Sequence, residues 1–187
     1  MATVFVITGP SGVGKGTLIR GLRKRVPELE LSISATTRAP RPGERDGHDY
    51  HFLTDEEFAR RVSSGDFVEH ATYSGNRYGT LRSELAQRLR AGRPVVLEIE
   101  VQGARQVREA MPEAVAVFVA PPTRDALRAR LTERGTDTPA QVDERLRTAE
   151  GELEARREFA HVIVNDRLED ATEGLERIVR RALADER

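Results

Sequence analysis

The sequence predicts an α/β fold, in which helices flank a parallel sheet, with a small, mostly antiparallel insertion and a helical lid. Short apolar runs, typical of strands buried on both faces, alternate along the chain with stretches of helical periodicity. This rhythm stops between about residues 31 and 78, where short alternating runs indicate the insertion. A glycine–proline break at residues 135–139 separates two arginine-rich helical patterns and predicts a hinged lid.

Four apolar runs predict the strands of the parallel sheet: Thr3–Thr8, Pro94–Ile99, Val115–Ala120 and His161–Val164. Helices are predicted at about Lys15–Arg25, Leu81–Ala91, Gln102–Ala110, Arg124–Arg134, Pro139–Phe159 and Leu168–Ala184. Within the insertion we expect one short helix, Asp55–Val62, and strand-like runs at Leu31–Ser34, Tyr50–Phe52 and Phe67–Glu69. We therefore expect a core of residues 1–31 and 81–187, which includes a lid at about 124–150, and an inserted subdomain of residues 32–80.

Composition narrows the classes of partner. The 187 residues are enough for one domain with a sizeable core. Thirty basic residues against 31 acidic ones give a net charge of −1, so the basic surplus typical of nucleic-acid-binding proteins is missing. The chain has no cysteine, which excludes disulfides and thiol catalysis, and no apolar run approaches a membrane span in length. We expect no nucleic-acid or membrane partner and a cytoplasmic location, while the oligomeric state stays open.

A glycine-rich loop joins the first strand to the first helix: Gly9-Pro10-Ser11-Gly12-Val13-Gly14-Lys15-Gly16-Thr17. In such a loop the backbone N–H groups point inward and the helix N-terminus adds a positive dipole end, so the loop cradles phosphates. The lysine of such a loop reaches the outer phosphates. The chain has two lysines against 28 arginines, and one of the two is Lys15. A forked guanidinium cannot replace a compact ammonium between phosphates, so we expect Lys15 to be functional.

The residue after the lysine departs from the usual pattern. A hydroxyl that ligates Mg²⁺ normally stands there, but this chain has Gly16 and places the hydroxyl one position later, at Thr17. Mg²⁺ keeps several of its waters and is often bound through substrate phosphates. We therefore expect Mg²⁺ to be held mainly by nucleotide phosphates and water.

Longer sequence motifs with the same implication occur over nearly the whole chain. In the insertion they are SISATTRAPRPGE (32–44), GHDYHF (47–52) and SGNRYGT (74–80); beyond it they are EIEVQG (98–103), RGTD (134–137) and IVND (163–166). In this order they closely resemble guanylate kinases, of the phosphate-loop family of nucleoside monophosphate kinases. The resemblance implies transfer of the γ-phosphoryl group of ATP to GMP, and also to dGMP, with Mg²⁺ as cofactor.

The resemblance also implies roles for the matched residues. The loop Gly9–Thr17 is expected to bind ATP, with Asn165 near its adenine. The phosphate of GMP is expected at Arg38, Arg41, Tyr50 and Tyr78, and its guanine at Ser34, Glu69, Thr80 and Glu100. The expected catalytic residues are Lys15, Arg130, Arg134 and Arg145, which converge on the transferring phosphoryl group, and Glu98 is expected near Mg²⁺ through water. Glu100 stands where the family usually has Asp.

The chemistry of guanine agrees with two acids at its site. Guanine presents a ring N–H and an exocyclic amine on one edge, and a carboxylate accepts hydrogen bonds from both. Adenine has a bare ring nitrogen and no amine there, so a carboxylate facing it would be desolvated and unpaired. Sites built on such pairing discriminate by about 10⁴-fold or more.

Two other functions remain open from the sequence. One is a kinase of another nucleoside monophosphate or of a sugar phosphate, against which Glu69 and Glu100 argue. The other is a non-catalytic guanylate-kinase-like binding module, against which Lys15 and the matched arginines argue. The four histidines do not have the spacing of a metal site.

Overall fold

A computed structural model describes residues 3–73, 75–133 and 139–185 of the chain. Its strands are β1 (Val4–Thr8), β2 (Glu30–Leu31), β3 (Ala35–Thr36), β4 (His51–Phe52), β5 (Phe67–Tyr73), β6 (Asn76–Leu81), β7 (Val95–Glu98), β8 (Val115–Ala120) and β9 (His161–Val164). Its helices are α1 (Lys15–Arg25), α2 (Asp55–Ser63), α3 (Arg82–Arg90), α4 (Val101–Ala110), α5 (Arg124–Glu133), α6 (Pro139–Glu154) and α7 (Leu168–Asp185). A 3₁₀ turn, Ala155–Glu158, follows α6.

A parallel sheet in the order β2-β7-β1-β8-β9 forms the centre of the fold. β1 pairs on one side with β7, where Ile7 is opposite Glu98, and on the other with β8, where Thr8 is opposite Phe118. Because the strands are parallel, their carboxyl ends meet at one edge, which is where α/β sheets bind ligands.

Both faces of β1 are buried, which explains its continuous apolar sequence. Phe5 and Ile7 pack on one face with α1 and α7, in a cluster that includes Leu22 and Leu175. On the other face the neighbouring side chains of β1 pack against α3 and α4. Alternate residues of one strand therefore hold two helical layers together.

The insertion forms a second sheet in the order β4-β3-β6-β5. The β3–β6 and β5–β6 pairs are antiparallel, and the short β3–β4 pair is parallel, so the expected mostly antiparallel sheet is confirmed. This sheet has its own apolar cluster, in which the rings of Phe58 and Phe67 stack with centroids 4.5 Å apart. β5 also lies against α4, where the side-chain amide of Gln106 bonds both the N–H and the carbonyl of His70.

The structure differs from the sequence prediction in several elements, and it contains two strands, β3 and β6, that were not predicted. The run expected in the insertion at Leu31–Ser34 begins instead in the parallel sheet, because the N–H of Glu30 donates to the carbonyl of Pro94 at 2.9 Å. The resulting strand β2 is two residues long, too short for a periodic pattern. The helix predicted to reach Phe159 ends at Glu154, and the 3₁₀ turn brings Phe159 against Phe118 with centroids 5.4 Å apart.

The predicted hinge, residues 135–139, lies almost wholly outside the described residues. The helices on either side of it, α5 and α6, are present. Among the described helices, none combines the length and the apolar character that a membrane span requires.

Candidate active site

A cleft of about 410 Å³ opens between the glycine-rich loop and the second sheet. The predicted site residues that line it are Pro10, Ser11, Gly12, Gly14, Lys15, Gly16, Thr17, Ser34, Arg41, Tyr50, Glu69, Tyr78, Glu98, Glu100 and Arg145. The fold thus brings together residues from both halves of the sequence, at the edge where β1 and β7 end.

Two glycines of the loop are required by its close approach to the strands. Gly9 has φ of +138°, and a Cβ there would lie on the carbonyl oxygen of Val119, 3.1 Å from its carbon. Gly14 has φ of +95°, and a Cβ there would be 2.7 Å from Nδ2 of Asn165. Both positions therefore exclude a side chain on steric and conformational grounds.

The ammonium of Lys15 lies over the loop that precedes it. Nζ donates to the carbonyl oxygen of Gly9 at 2.6 Å and to that of Pro10 at 3.2 Å. These bonds hold the charge at the mouth of the loop, where incoming phosphate oxygens would replace the carbonyls as acceptors.

Asn165 and Arg130 lie behind the loop and do not line the cleft. Nδ2 of Asn165 donates to the carbonyl of Val13 at 2.8 Å, and Asn165 is only 5% exposed. Nη2 of Arg130 donates to the carbonyl of Asn165 at 2.8 Å, and Nη1 donates to that of Val13 at 3.4 Å. In the described structure both side chains therefore brace the loop, and their expected contacts with nucleotide remain predictions.

The expected catalytic residue Arg134 lies outside the described residues.

Helix α6 contacts the loop at Ser11 through two side chains. Nη2 of Arg145 donates to Oγ of Ser11 at 2.6 Å. Glu152, two helical turns later on the same face, lies near the backbone N–H of Ser11. Burial raises the pKa of Glu152, while the nearby charge of Lys15 and the backbone N–H of Ser11 oppose the rise. Sequence reasoning missed Glu152, because nothing in an acidic helical pattern indicates which acid faces the loop.

The base end of the cleft contains a buried acid. Glu69 of β5 is 3% exposed, and its Oε1 accepts a hydrogen bond from Oγ1 of Thr80 at 2.8 Å. Burial raises the pKa of Glu69 to about 7; the charge of Glu100 adds to the rise, and the Thr80 hydroxyl opposes it. Thr80 itself is behind Glu69 and does not line the cleft, whereas Ser34 and Glu100 do.

The other end of the second sheet contributes the residues expected at the acceptor phosphate. Arg41, Tyr50 and Tyr78 line the cleft, and the rings of the two tyrosines meet edge-on with centroids 6.3 Å apart. Arg38 lies behind Tyr50, with its guanidinium carbon 5.2 Å from the ring centroid. Burial, followed by the negative charge of Glu98, raises the pKa of Tyr50.

Glu44, which was not predicted, organises this loop. Its Oε1 accepts from Nη2 of Arg38 at 2.8 Å and its Oε2 accepts from the backbone N–H of Arg41 at 2.7 Å. One carboxylate thus holds both predicted phosphate-binding arginines in a common arrangement.

Glu98 ends β7 beside the first turn of α1. A Cβ on Gly16 would lie 3.3 Å from Oε2 of Glu98, so the carboxylate is next to the residue that follows Lys15. The hydroxyl of Thr17 accepts from Nη2 of Arg20 at 2.9 Å. Within residues 3–73, 75–133 and 139–185, no three acidic or histidine side chains come together as metal ligands.

Comparison with known proteins identifies the family. The family model described as guanylate kinase matches residues 1–182. The chain belongs to the guanylate kinase family.

Guanylate kinases of several bacteria are close relatives. The chain is 57% identical to the guanylate kinase of Frankia casuarinae, covering 89% of this chain and 90% of the relative. It is 52% identical to that of Streptomyces coelicolor, covering 91% and 86%. A solved guanylate kinase from Anaplasma phagocytophilum superposes with a TM-score of 0.78 at 33% identity, over 96% of this chain and 85% of that one. A sugar kinase from Janibacter, with a TM-score of 0.58 and 19% identity over 96% of this chain and 95% of that one, shares the fold alone.

Several cleft residues of this guanylate kinase family member were not predicted from the sequence. They are Arg20, Leu31, Ser32, Asp49, Tyr73, Gly79 and Ile99. The hydroxyls of Ser32 and Tyr73 are buried and have no hydrogen-bond partner among the residues that the structure describes. The sequence shows that Tyr73 belongs to the insertion. That it lies on the side of the cleft follows only from the pairing of β5 with β6.

Proposed function

We propose that the chain transfers the γ-phosphoryl group of ATP to GMP, and to dGMP, giving ADP and the nucleoside diphosphate. The observation that carries this proposal is the composition of the cleft. A phosphate-binding loop with Lys15 forms one wall, and the acids Glu69 and Glu100 form the far end of the other. This combination suits a site for two nucleotides, one of them bearing guanine.

Selection of guanine is assigned to the two acids. The deprotonated carboxylate of Glu69, fixed by Thr80 at 2.8 Å, accepts from the ring N–H and the amine of guanine together with Glu100. Adenine offers neither donor on that edge and would leave the buried carboxylate unpaired. An unpaired buried acceptor costs about 1–3 kcal/mol or more, so selection against AMP is strong.

The acceptor phosphate is assigned to Arg41, Tyr50 and Tyr78, with Arg38 behind them. Guanidinium and phenol hydroxyl groups donate hydrogen bonds, and charge-assisted bonds to phosphate are the strong ones. Glu44 holds the arginines in place before GMP arrives.

Transfer itself needs little covalent chemistry from the protein. A phosphate oxygen of GMP attacks the γ-phosphorus in line, and since it is already an anion no strong general base is required. Lys15 and Arg145 neutralise charge on the transferring group, while the loop N–H groups hold the donor phosphates. Arg130 and Arg134 are assigned to the same group on the closed lid.

Mg²⁺ is proposed as the cofactor, held mainly by nucleotide phosphates and water. When bound, it neutralises charge on the phosphates of ATP. The carboxylate of Glu98, which lies beside Gly16, would accept hydrogen bonds from water bound to the ion.

Closure is proposed to complete the site. We assign residues 1–31 and 81–187 to the core and residues 32–80 to the GMP-binding subdomain, with a lid at about 124–150. Closing these parts over both nucleotides excludes water and suppresses ATP hydrolysis. We propose that the enzyme works in the cytoplasm.

The test is ADP production from ATP and Mg²⁺ with GMP, dGMP, AMP or UMP as acceptor. We expect turnover with GMP and dGMP, and a kcat/KM for GMP at least about 10⁴-fold above that for AMP. Equal use of AMP would overturn guanine selection, and absence of turnover with every acceptor would favour a non-catalytic binding module.

A further inference from the structure

The carboxylate of Glu69 lies in a slot in helix α4. A Cβ built on Gly103 would be 3.1 Å from Cδ of Glu69 and 3.5 Å from its Cγ, and it would be closer still to Oε2. Real Cβ atoms do not approach a carboxyl group in this way. Glu69 can therefore occupy its position only because residue 103 has no side chain.

Backbone conformation does not require glycine at this position. Gly103 is in the first turn of α4 and is not among the described glycines with positive φ. Glycine in a helix is less stable than alanine, since it loses more backbone freedom on folding. We therefore attribute the glycine at position 103 to the space that the carboxyl group of Glu69 occupies.

The surrounding structure prevents the strand and helix from moving apart. Gln106, one turn after Gly103, bonds the N–H of His70 at 3.0 Å and its carbonyl at 2.7 Å. His70 directly follows Glu69 in β5, and Thr80 holds Glu69 from the opposite strand. A methyl group at residue 103 would therefore displace the carboxylate of Glu69 rather than the backbone.

We propose that Gly103 is a specificity-determining residue, which positions the carboxylate of Glu69 for guanine without touching the substrate. This inference rests on the proposed function, because it assumes that Glu69 accepts hydrogen bonds from the base. The slot determines the position of the carboxylate, and the hydrogen bond from Thr80 determines its orientation.

The test compares Gly103→Ala with Gly151→Ala. Gly151 is also in a helix, α6, and a Cβ there has nothing within 4 Å. Both variants gain helix propensity, so neither is expected to lose much thermal stability. For Gly103→Ala we expect the KM for GMP to rise and the GMP/AMP ratio of kcat/KM to fall about tenfold or more, with the KM for ATP unchanged. For Gly151→Ala we expect the wild-type values of all three quantities.

A second variant links the effect to Glu69. In the background of Gly103→Ala, shortening the acid by Glu69→Asp withdraws it from the new methyl group. We expect Glu69→Asp to cost less selectivity there than in the wild-type protein. If the two substitutions reduced the GMP/AMP selectivity independently of each other, the contact between residue 103 and Glu69 would not determine selectivity.

The outcomes separate this inference from the proposed function. Wild-type selectivity in Gly103→Ala, or an equal loss of GMP and ATP affinity, would overturn the role of Gly103 alone. Absence of a preference for GMP in the wild-type protein would overturn the proposed function.

Discussion

The buried carboxyl group of Glu69 ties both stability and base recognition to pH. Its pKa is raised from an ordinary value of 4.5 to about 7. The folded protein therefore binds a proton at this group between these values, while the unfolded chain has released it. Stability falls as pH rises from about 4.5 to about 7, and the full cost of the buried charge is present above 7.

Replacing Glu69 by Gln removes this cost and keeps an acceptor for Thr80. Relative to wild type, Glu69→Gln should be more stable at pH 8, by up to about 3 kcal/mol, and not at pH 4.5. Urea unfolding at the two pH values measures the difference. A constant difference across the range would contradict the assignment of the raised pKa to Glu69.

Protonation of Glu69, which stabilises the folded protein, should weaken the binding of GMP. A protonated carboxyl group has lost part of its accepting capacity, so the KM for GMP should rise as pH falls through about 7. The KM for ATP over the same range is the internal control. Parallel changes in both constants would show that another group titrates.

Lys15 and Lys24 offer a matched pair of substitutions. Lys15→Arg keeps the charge but replaces a compact ammonium with a planar fork, so we expect kcat to fall by about a hundredfold or more. Lys24 is exposed on the same helix, and Lys24→Arg should leave kcat unchanged. Single-turnover kinetics would measure the chemical step, and near-normal transfer by Lys15→Arg would refute its role there.

Among the elements, α6, which lies largely within the proposed lid, contacts the glycine-rich loop. Arg145 and Glu152 both contact Ser11, so a shift of this helix is transmitted directly to the loop. Arg147 is on the same helix but exposed. Substituting each arginine in turn therefore distinguishes the effect of a contact with the loop from the effect of the overall charge of the helix.

We expect Arg145→Met to lower kcat by about a hundredfold or more, because a positive charge near the transferring group is lost. Arg147→Met should keep wild-type kcat. Both variants are compared at saturating ATP and GMP, with circular dichroism to verify the helix. A similar loss of kcat in the two variants would show that Arg145 acts only through the overall charge of the helix.

The elements also show how far sequence reasoning reaches. The long apolar strands and most helices were predicted, since burial on one or two faces leaves a period in the sequence. β2 was missed because a two-residue strand has no period, and its pairing depends on Pro94 far along the chain. The family resemblance assigned Glu69 to guanine, but the slot at Gly103 and the contact of Glu152 with Ser11 follow from the approach of separate elements.

At the scale of the whole molecule, the cleft joins two proposed phosphate sites, built from different sheets. We assign the loop after β1 to one, and the residues around β4 and β6 to the other. Substitutions on one wall should therefore affect one substrate.

We expect Arg41→Met to raise the KM for GMP about tenfold or more, since a charge-assisted phosphate contact is lost. The KM for ATP should not change, because Arg41 is on the wall opposite the glycine-rich loop. Arg45→Met, at an exposed position of the same segment, is the control. An equal loss of affinity for both nucleotides would contradict two separate sites.

The central place of β1 has a consequence for synthesis of the protein. β1 leaves the ribosome before the other described strands, yet β7 and β8, which bury it on both sides, come much later in the chain. Gly9 takes its position against the backbone of Val119, so the loop acquires its shape only after β8 has emerged. Such non-local pairing delays folding and leaves the first strand uncovered in the meantime. A nascent chain released before residue 120 would therefore carry the complete glycine-rich sequence and still lack the folded loop to which we assign ATP binding.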